Sequence, residues 1–75
     1  MTLEELRARL TAIDQQLLEL IAERQRLSRE VAEAKRAMGK PTRDFNRERE
    51  VLMHARDLAA QLDVSPDLAE SVMRL

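Results

Sequence analysis

The chain has 75 residues, which is enough for one small domain. It contains no cysteine, a single histidine and a single aromatic residue, Phe45, so disulfides and Cys/His metal sites are excluded. The formal net charge of −1 lacks the basic excess of a nucleic-acid-binding protein. No long apolar run and no signal-peptide pattern is present, so we expect no membrane contact and a cytoplasmic location.

The composition predicts an all-α fold. Ala, Leu, Glu, Arg and Gln are abundant, whereas the chain has only one Gly and two Pro. A core built from one copy of so short a chain, with one aromatic side chain, would be thin. Self-association is the usual remedy, so we expect a homodimer.

The first predicted helix begins after Thr2, a suitable N-cap, and ends at Gly39, with Pro41 blocking its continuation. At 1.5 Å per residue, about 36 residues form a rod of roughly 54 Å. Its apolar residues recur at alternating spacings of three and four, which is typical of a coiled-coil seam. They are Leu3, Leu6, Leu10, Ile13, Leu17, Leu20, Leu27, Val31, Ala34 and Met38.

Two shorter helices follow. The second is capped by Asp44 and runs to about Leu62. Its predicted apolar stripe consists of Phe45, Val51, Leu52, Ala55, Leu58, Ala59 and Leu62. The third opens with Ser65 as N-cap and Pro66 as its first residue. About ten residues remain, fewer than a helix needs to be stable alone. We therefore expect residues 1–75 to form a single domain whose third helix is truncated.

Arg24 occupies the seam position between Leu20 and Leu27, where an apolar residue belongs. A charge on this face must find a partner or a solvated cavity, because an unpaired buried charge is costly. One interpretation is a polar residue that sets the register of a coiled coil. The other is a ligand-binding cation.

Arg7 and Lys35 share one flank of the first helix but lie about 42 Å apart along its axis. In a fully overlapped antiparallel pair of helices, position i faces position 41 − i. Arg7 of one chain then lies opposite residue 34 of the other, beside Lys35. This arrangement predicts a cationic pocket at each end of a two-fold dimer. The alternative is that both side chains are ordinary solvated charges.

The segment KPTRDFNRERE, residues 40–50, places Glu48 on the apolar face of the second helix, flanked by Arg47 and Asp44. Glu48 is either one half of a structural salt bridge, with Arg24 or another base, or an acceptor for a ligand hydroxyl. Arginine suits the binding of ligand carboxylates because its planar fork grips them bidentately. No nucleophile, phosphate loop or metal-ligand spacing is present. The predicted site therefore acts by binding and electrostatics, without metal or cofactor.

These residues resemble the all-helical class of chorismate mutases. The resemblance rests on LRARLTAID, LLELIAERQRL, VAEAK and KPTRDFNRERE, in this order, and covers residues 3 to about 64. It implies an intertwined antiparallel helical homodimer. It also implies conversion of chorismate, a dicarboxylate, to prephenate by a concerted intramolecular rearrangement.

The resemblance also implies a role for each site residue. Arg24 would bind a substrate carboxylate, and Arg7 would reach in from the partner subunit. Lys35 would hydrogen-bond the ether oxygen and a carboxylate. Glu48 would accept from the ring hydroxyl. The remaining two positions are Asp44, whose backbone would lie next to that hydroxyl, and Arg47 in the pocket wall.

The family's third helix normally carries two more pocket residues, and in this numbering they would lie after Leu75. Members are often fused to another enzyme of aromatic amino acid synthesis, and the tail LDVSPDLAESVMRL resembles that of mutase domains fused to prephenate dehydrogenase. The alternative from a different class is a non-catalytic antiparallel coiled-coil dimerisation module. In such a module, apolar replacements of Arg24, Lys35 and Glu48 would be tolerated.

Overall fold

A computed structural model describes all 75 residues and contains three α-helices. They are α1 (Leu3–Ala37), α2 (Phe45–Gln61) and α3 (Pro66–Met73). The predicted all-α class is confirmed, and each predicted cap falls at its expected residue. The chain divides into two compact units, Met1–Gly39 and Lys40–Leu75.

The ends of α1 follow from local capping chemistry. The Thr2 side chain accepts a hydrogen bond from the backbone N–H of Glu5 at 3.1 Å, which satisfies a donor that has no partner within the helix. At the other end, Met38 donates to the Ala34 carbonyl at 3.1 Å. Gly39 then takes φ +70, a left-handed conformation that favours glycine, and nothing crowds its α-carbon. The left-handed backbone conformation of Gly39 therefore ends the helix, and steric crowding at this residue does not.

The apolar seam of α1 stays exposed along its whole length. No residue of α1 is buried, and large apolar side chains such as Leu10 and Leu20 are 59% and 65% exposed. A monomeric protein rarely leaves so long an apolar stripe open to water. The stripe is therefore a surface that a second helix could cover.

The second unit begins with the Asp44 cap and turns sharply after α2. Asp63 adopts φ 56, and the N–H of Val64 donates to the Ala59 carbonyl at 2.9 Å. This is the six-to-one hydrogen bond of a Schellman motif, with an aspartate in the left-handed position that glycine usually takes. The motif satisfies a carbonyl at the end of α2 and directs the chain into α3.

Helices α2 and α3 pack against each other. The buried apolar residues are Ala55 and Ala59, one turn apart on α2. Arg56 pairs with Asp67 of α3 at 3.1 Å and with Glu70 at 3.5 Å. These partly exposed ion pairs link α3 to α2 beside a core that consists of little more than two alanines, and they add little stability.

Most of the predicted α2 stripe is more exposed than its pattern suggested. Val51 and Leu52 are half-buried, whereas Phe45, Leu58 and Leu62 remain exposed. An eight-residue α3 is too short to cover a seventeen-residue α2. The expectation of a thin single-chain core is confirmed. No helix is both long and apolar enough to cross a lipid bilayer.

Candidate functional site

Two candidate cations of α1, Arg24 and Lys35, have no carboxylate at helical spacing. Arg24 is half-buried, and its neighbours three and four positions away are Leu20, Ile21, Leu27 and Ser28. Side chains at these spacings share a helix face, so they are the ones that could pair with it locally. None of them is acidic, and Arg24 has no ion-pair partner within residues 1–39.

Lys35 shows the same pattern. It is half-buried, and the residues at the corresponding spacings are Val31, Ala32, Met38 and Gly39. By contrast, Arg26 pairs with Glu30 four residues later at 3.4 Å. Arg7 is exposed, and its side chain also has no ion-pair partner within residues 1–39. The positive charges of Arg24 and Lys35 are thus available to a ligand or a partner.

The first turn of α2 brings Asp44, Arg47 and Glu48 together. The Asp44 carboxylate caps the helix by accepting from the N–H of Arg47 at 3.1 Å. Its side chain is therefore used structurally. The guanidinium of Arg47 lies 3.4 Å from the Glu50 carboxylate, and both side chains are exposed. Glu48 lies in the first helical turn, where the positive end of the helix dipole favours a negative charge.

Arg43, which the sequence interpretation missed, holds Glu48. Its Nε donates to Oε1 at 3.1 Å and its Nη2 donates to Oε2 at 3.5 Å. The guanidinium carbon also lies 4.5 Å from the centroid of the Phe45 ring, a cation–π arrangement. The salt bridge anticipated for Glu48 is thus present, and the base is Arg43. With both side chains at least half exposed, the pair contributes only about 0.2–1 kcal/mol.

A signal for Arg43 was present in the sequence. Once Asp44 is recognised as the N-cap, residue 43 is the position before the cap and Glu48 is the fourth residue of the helix. These two positions meet in the hydrophobic-staple motif, where both are normally apolar. Searching for charged residues at the same two positions would have identified the contact.

These residues provide two chemical capabilities. The α1 cations can bind anionic groups, and the Glu48 carboxylate can accept a hydrogen bond from a hydroxyl. No group of three or more His, Cys, Asp or Glu side chains that could hold a metal ion is found. Each unit therefore offers its own chemistry: residues 1–39 offer cations for anionic groups, and residues 40–75 offer a hydrogen-bond acceptor at Glu48.

Comparison with known proteins agrees with this chemistry. The family model described as Chorismate mutase type II matches residues 6–75. The chorismate mutase of Methanocaldococcus jannaschii is 33% identical over 73 residues, covering 97% of this chain and 74% of that protein. The T-protein of Enterobacter agglomerans is 41% identical over 69 residues, covering 92% of this chain. No solved structure matches at a significant level.

The remaining similarity is to longer proteins. The bifunctional chorismate mutase/prephenate dehydratase of Enterobacter agglomerans is 51% identical over 47 residues, or 63% of this chain. The chain spans only 12% of the length of that protein and 18% of the T-protein. The matched family residues run through both units and include all six candidate site residues. The chain belongs to the chorismate mutase type II family.

Proposed function

We propose that this chain is an isomerase that converts chorismate to prephenate. The observation that carries this proposal is the family match over residues 6–75, which spans every candidate site residue. The relative that the chain covers most fully is named chorismate mutase. The proposed rearrangement is unimolecular and transfers no group to an acceptor, so no cofactor is expected.

The proposed site works by orientation and electrostatic stabilisation. Arg24 and Arg7 bind the two carboxylates and hold the enolpyruvyl arm over the ring, which removes rotational freedom before the reaction. As the C–O bond breaks, negative charge develops on the ether oxygen, and Lys35 donates to it. Glu48 accepts from the ring hydroxyl, next to the backbone of Asp44. Arg47 contributes to the pocket wall.

We propose further that the site is shared between two copies of the chain in an antiparallel dimer. The exposed seam of α1 supports this arrangement, because a second α1 would remove that apolar surface from water. Full overlap places Arg7 of one copy near Lys35 of the other, as the 41 − i relation requires. Each dimer then has two equivalent pockets.

Residues 1–75 would form one domain of this enzyme. Relatives whose names combine chorismate mutase with prephenate dehydratase provide precedent for fusion to a second activity. Fusion to another enzyme of aromatic amino acid synthesis and a cytoplasmic location remain predictions.

The test is consumption of chorismate by the purified chain, with formation of prephenate followed in the same reaction. The assay is repeated on a chain in which α3 is extended beyond Leu75, since the resemblance places two further pocket residues there. We expect turnover that follows saturation kinetics. The absence of turnover in both forms would contradict the proposed function.

Binding of a stable transition-state mimic distinguishes the proposed enzyme from a non-catalytic dimerisation module. A ligand that binds only the folded state at about 100 times its Kd stabilises that state by about 2.7 kcal/mol. In a domain of this size, this corresponds to a rise in Tm on the order of 10 °C. An unchanged Tm together with a stable dimer would favour the non-catalytic coiled-coil module.

A further inference from the structure

Arg43 and Glu48 lie on either side of the α2 N-cap, at the two positions that a hydrophobic staple joins. In that motif, an apolar contact fixes how the chain enters the helix. Here both positions are charged, and an ion pair replaces the apolar contact. We call this contact the ionic staple, meaning the Arg43 and Glu48 side chains.

The ionic staple orients the carboxylate without exhausting it. Arg43 approaches through Nε and Nη2, one donor for each oxygen, at 3.1 Å and 3.5 Å. An ionised carboxylate has about four lone-pair positions, so about two remain after this fork is made. The Glu48 side chain is 50% exposed, so those positions remain accessible to a ligand.

Arg43 is itself held in place. Its guanidinium lies over the Phe45 ring, 4.5 Å from the centroid, while its donors point to Glu48. Phe45 is the first residue of α2, so its backbone is fixed by the helix that Asp44 caps. The ring and the carboxylate together restrict a flexible arginine, and the arginine in turn restricts the rotamers of Glu48.

We propose that Arg43 is a positioning residue for the site: it holds the Glu48 carboxylate in the orientation that accepts the substrate's ring hydroxyl, without touching the substrate itself. This inference rests on the proposed function, in which Glu48 is that acceptor. A fixed acceptor favours the reactive geometry because the cost of ordering it is met before the ligand binds. If Arg43 instead competed with the substrate for the Glu48 carboxylate, removing Arg43 would raise kcat/KM rather than lower it.

The test is a double-mutant cycle in the form of the chain that turns over chorismate. We expect Arg43→Ala to lower kcat/KM by about 3- to 5-fold, because the ordering cost of Glu48 that this surface pair offsets must then be met when the substrate binds. In a Glu48→Gln background the same substitution should change kcat/KM by less than about twofold, since coupled residues are not additive. Arg43→Lys should restore part of the loss, because it retains the charge but not the fork.

Arg49→Ala is the matched control. Like Arg43→Ala, it removes one positive charge, but from Arg49 in α2, whose side chain forms no ion pair. It should leave kcat/KM within about twofold of the unmutated value. All variants should keep their Tm within about 8 °C, because the exposed ionic staple contributes little to stability. A chorismate analogue without the ring hydroxyl should be insensitive to Arg43→Ala, which a purely structural role would not produce.

Three outcomes would overturn the inference and leave the proposed function in place. The first is a kcat/KM of the Arg43→Ala variant that stays within twofold of the unmutated value. The second is a kcat/KM that this substitution increases, which would show that Arg43 blocks access of the substrate to Glu48. The third concerns the contact itself and is independent of turnover. The Nε–H resonance of Arg43 should shift on Glu48→Gln and not on Glu50→Gln, and an unchanged resonance would show that no pair forms. A chain that shows the pair but no turnover would contradict the proposed function, and with it the positioning role.

Discussion

At the scale of single residues, this chain places charge where its own helices cannot neutralise it. Arg24 and Lys35 are half-buried on α1, and every local neighbour at helical spacing lacks a carboxylate. Most other charges are exposed, and several are paired within one helical turn, as Arg26 is with Glu30. Surface pairs of this kind contribute little to stability. Arg24 and Lys35, which are unpaired and half-buried, are therefore the first residues to test for a role in binding.

Arg24→Ala should lower kcat/KM by at least about 10²-fold, the range for loss of a charge that stabilises a transition state. Arg24→Lys should also fail substantially, because the bidentate fork is lost. Steady-state kinetics on chorismate measure both effects, and circular dichroism checks that the helices remain.

Arg26→Ala is the matched control, since Arg26 is on the same helix, two positions away, and pairs with Glu30. It should retain activity within a few-fold. If Arg24→Ala behaved like this control, Arg24 would be a register residue of a coiled coil rather than a ligand-binding group.

At the scale of elements, the caps define the helices, and packing stabilises the shorter ones. The α3 helix has eight residues, too few to persist alone in water. It is held by its Ser65 cap, which accepts from the Leu68 N–H at 3.3 Å, and by contact with α2. Ala55 and Ala59 are the buried residues of α2, 9% and 3% exposed, and α3 is the element that packs against this helix.

Ala59→Leu should therefore destabilise the chain by about 1–3 kcal/mol, because added methylene groups have no space between the two helices. Ala60→Leu is the control, since Ala60 is exposed on the same helix and the propensity change is the same. Its effect should stay within about 0.5 kcal/mol. Urea unfolding followed by circular dichroism measures both, and equal effects would show that α3 does not pack at Ala59.

At the scale of the whole molecule, each of the two units leaves large apolar side chains exposed. The α1 seam is exposed from Leu3 to Met38, and two alanines form the buried core of the second unit. Covering the seam with a second copy would supply the missing hydrophobic stabilisation. It would also allow one pocket to draw cations from two chains.

We expect the chain to be a dimer in sedimentation equilibrium at micromolar concentration.

We also expect the Arg7→Ala and Lys35→Ala variants, each inactive alone, to recover activity when they are mixed in one dimer. Each variant alone damages both pockets. In a mixed dimer, one pocket receives Arg7 and Lys35 intact and the other carries both lesions. Random mixing makes about half the dimers mixed, so activity should recover to roughly a quarter of the unmutated level.

Mass spectrometry of the co-refolded sample shows whether mixed dimers form. Mixed dimers without recovered activity would mean that Arg7 and Lys35 do not serve the same shared pocket. A compact, well-folded monomer in sedimentation would contradict the antiparallel arrangement itself.

The sequence by itself determined the three helices, their caps and the candidate residues. Capping and periodicity act over four residues or fewer, so Thr2, Asp44 and Ser65 could each be identified as N-caps from their immediate neighbours. The position of Arg24 on the apolar seam was visible for the same reason. The resemblance that these motifs carried is confirmed by the family match.

Only the tertiary structure showed which residues are buried and which side chains pair, because both depend on contacts between elements. The pattern marked a long α2 stripe, but only Ala55 and Ala59 are buried, because burial depends on the length of the packing partner. Asp63 adopts the left-handed position because α2 must turn into α3. The structure also selected Arg43, among several nearby bases, as the partner of Glu48, because the bend at the cap brings these two side chains together.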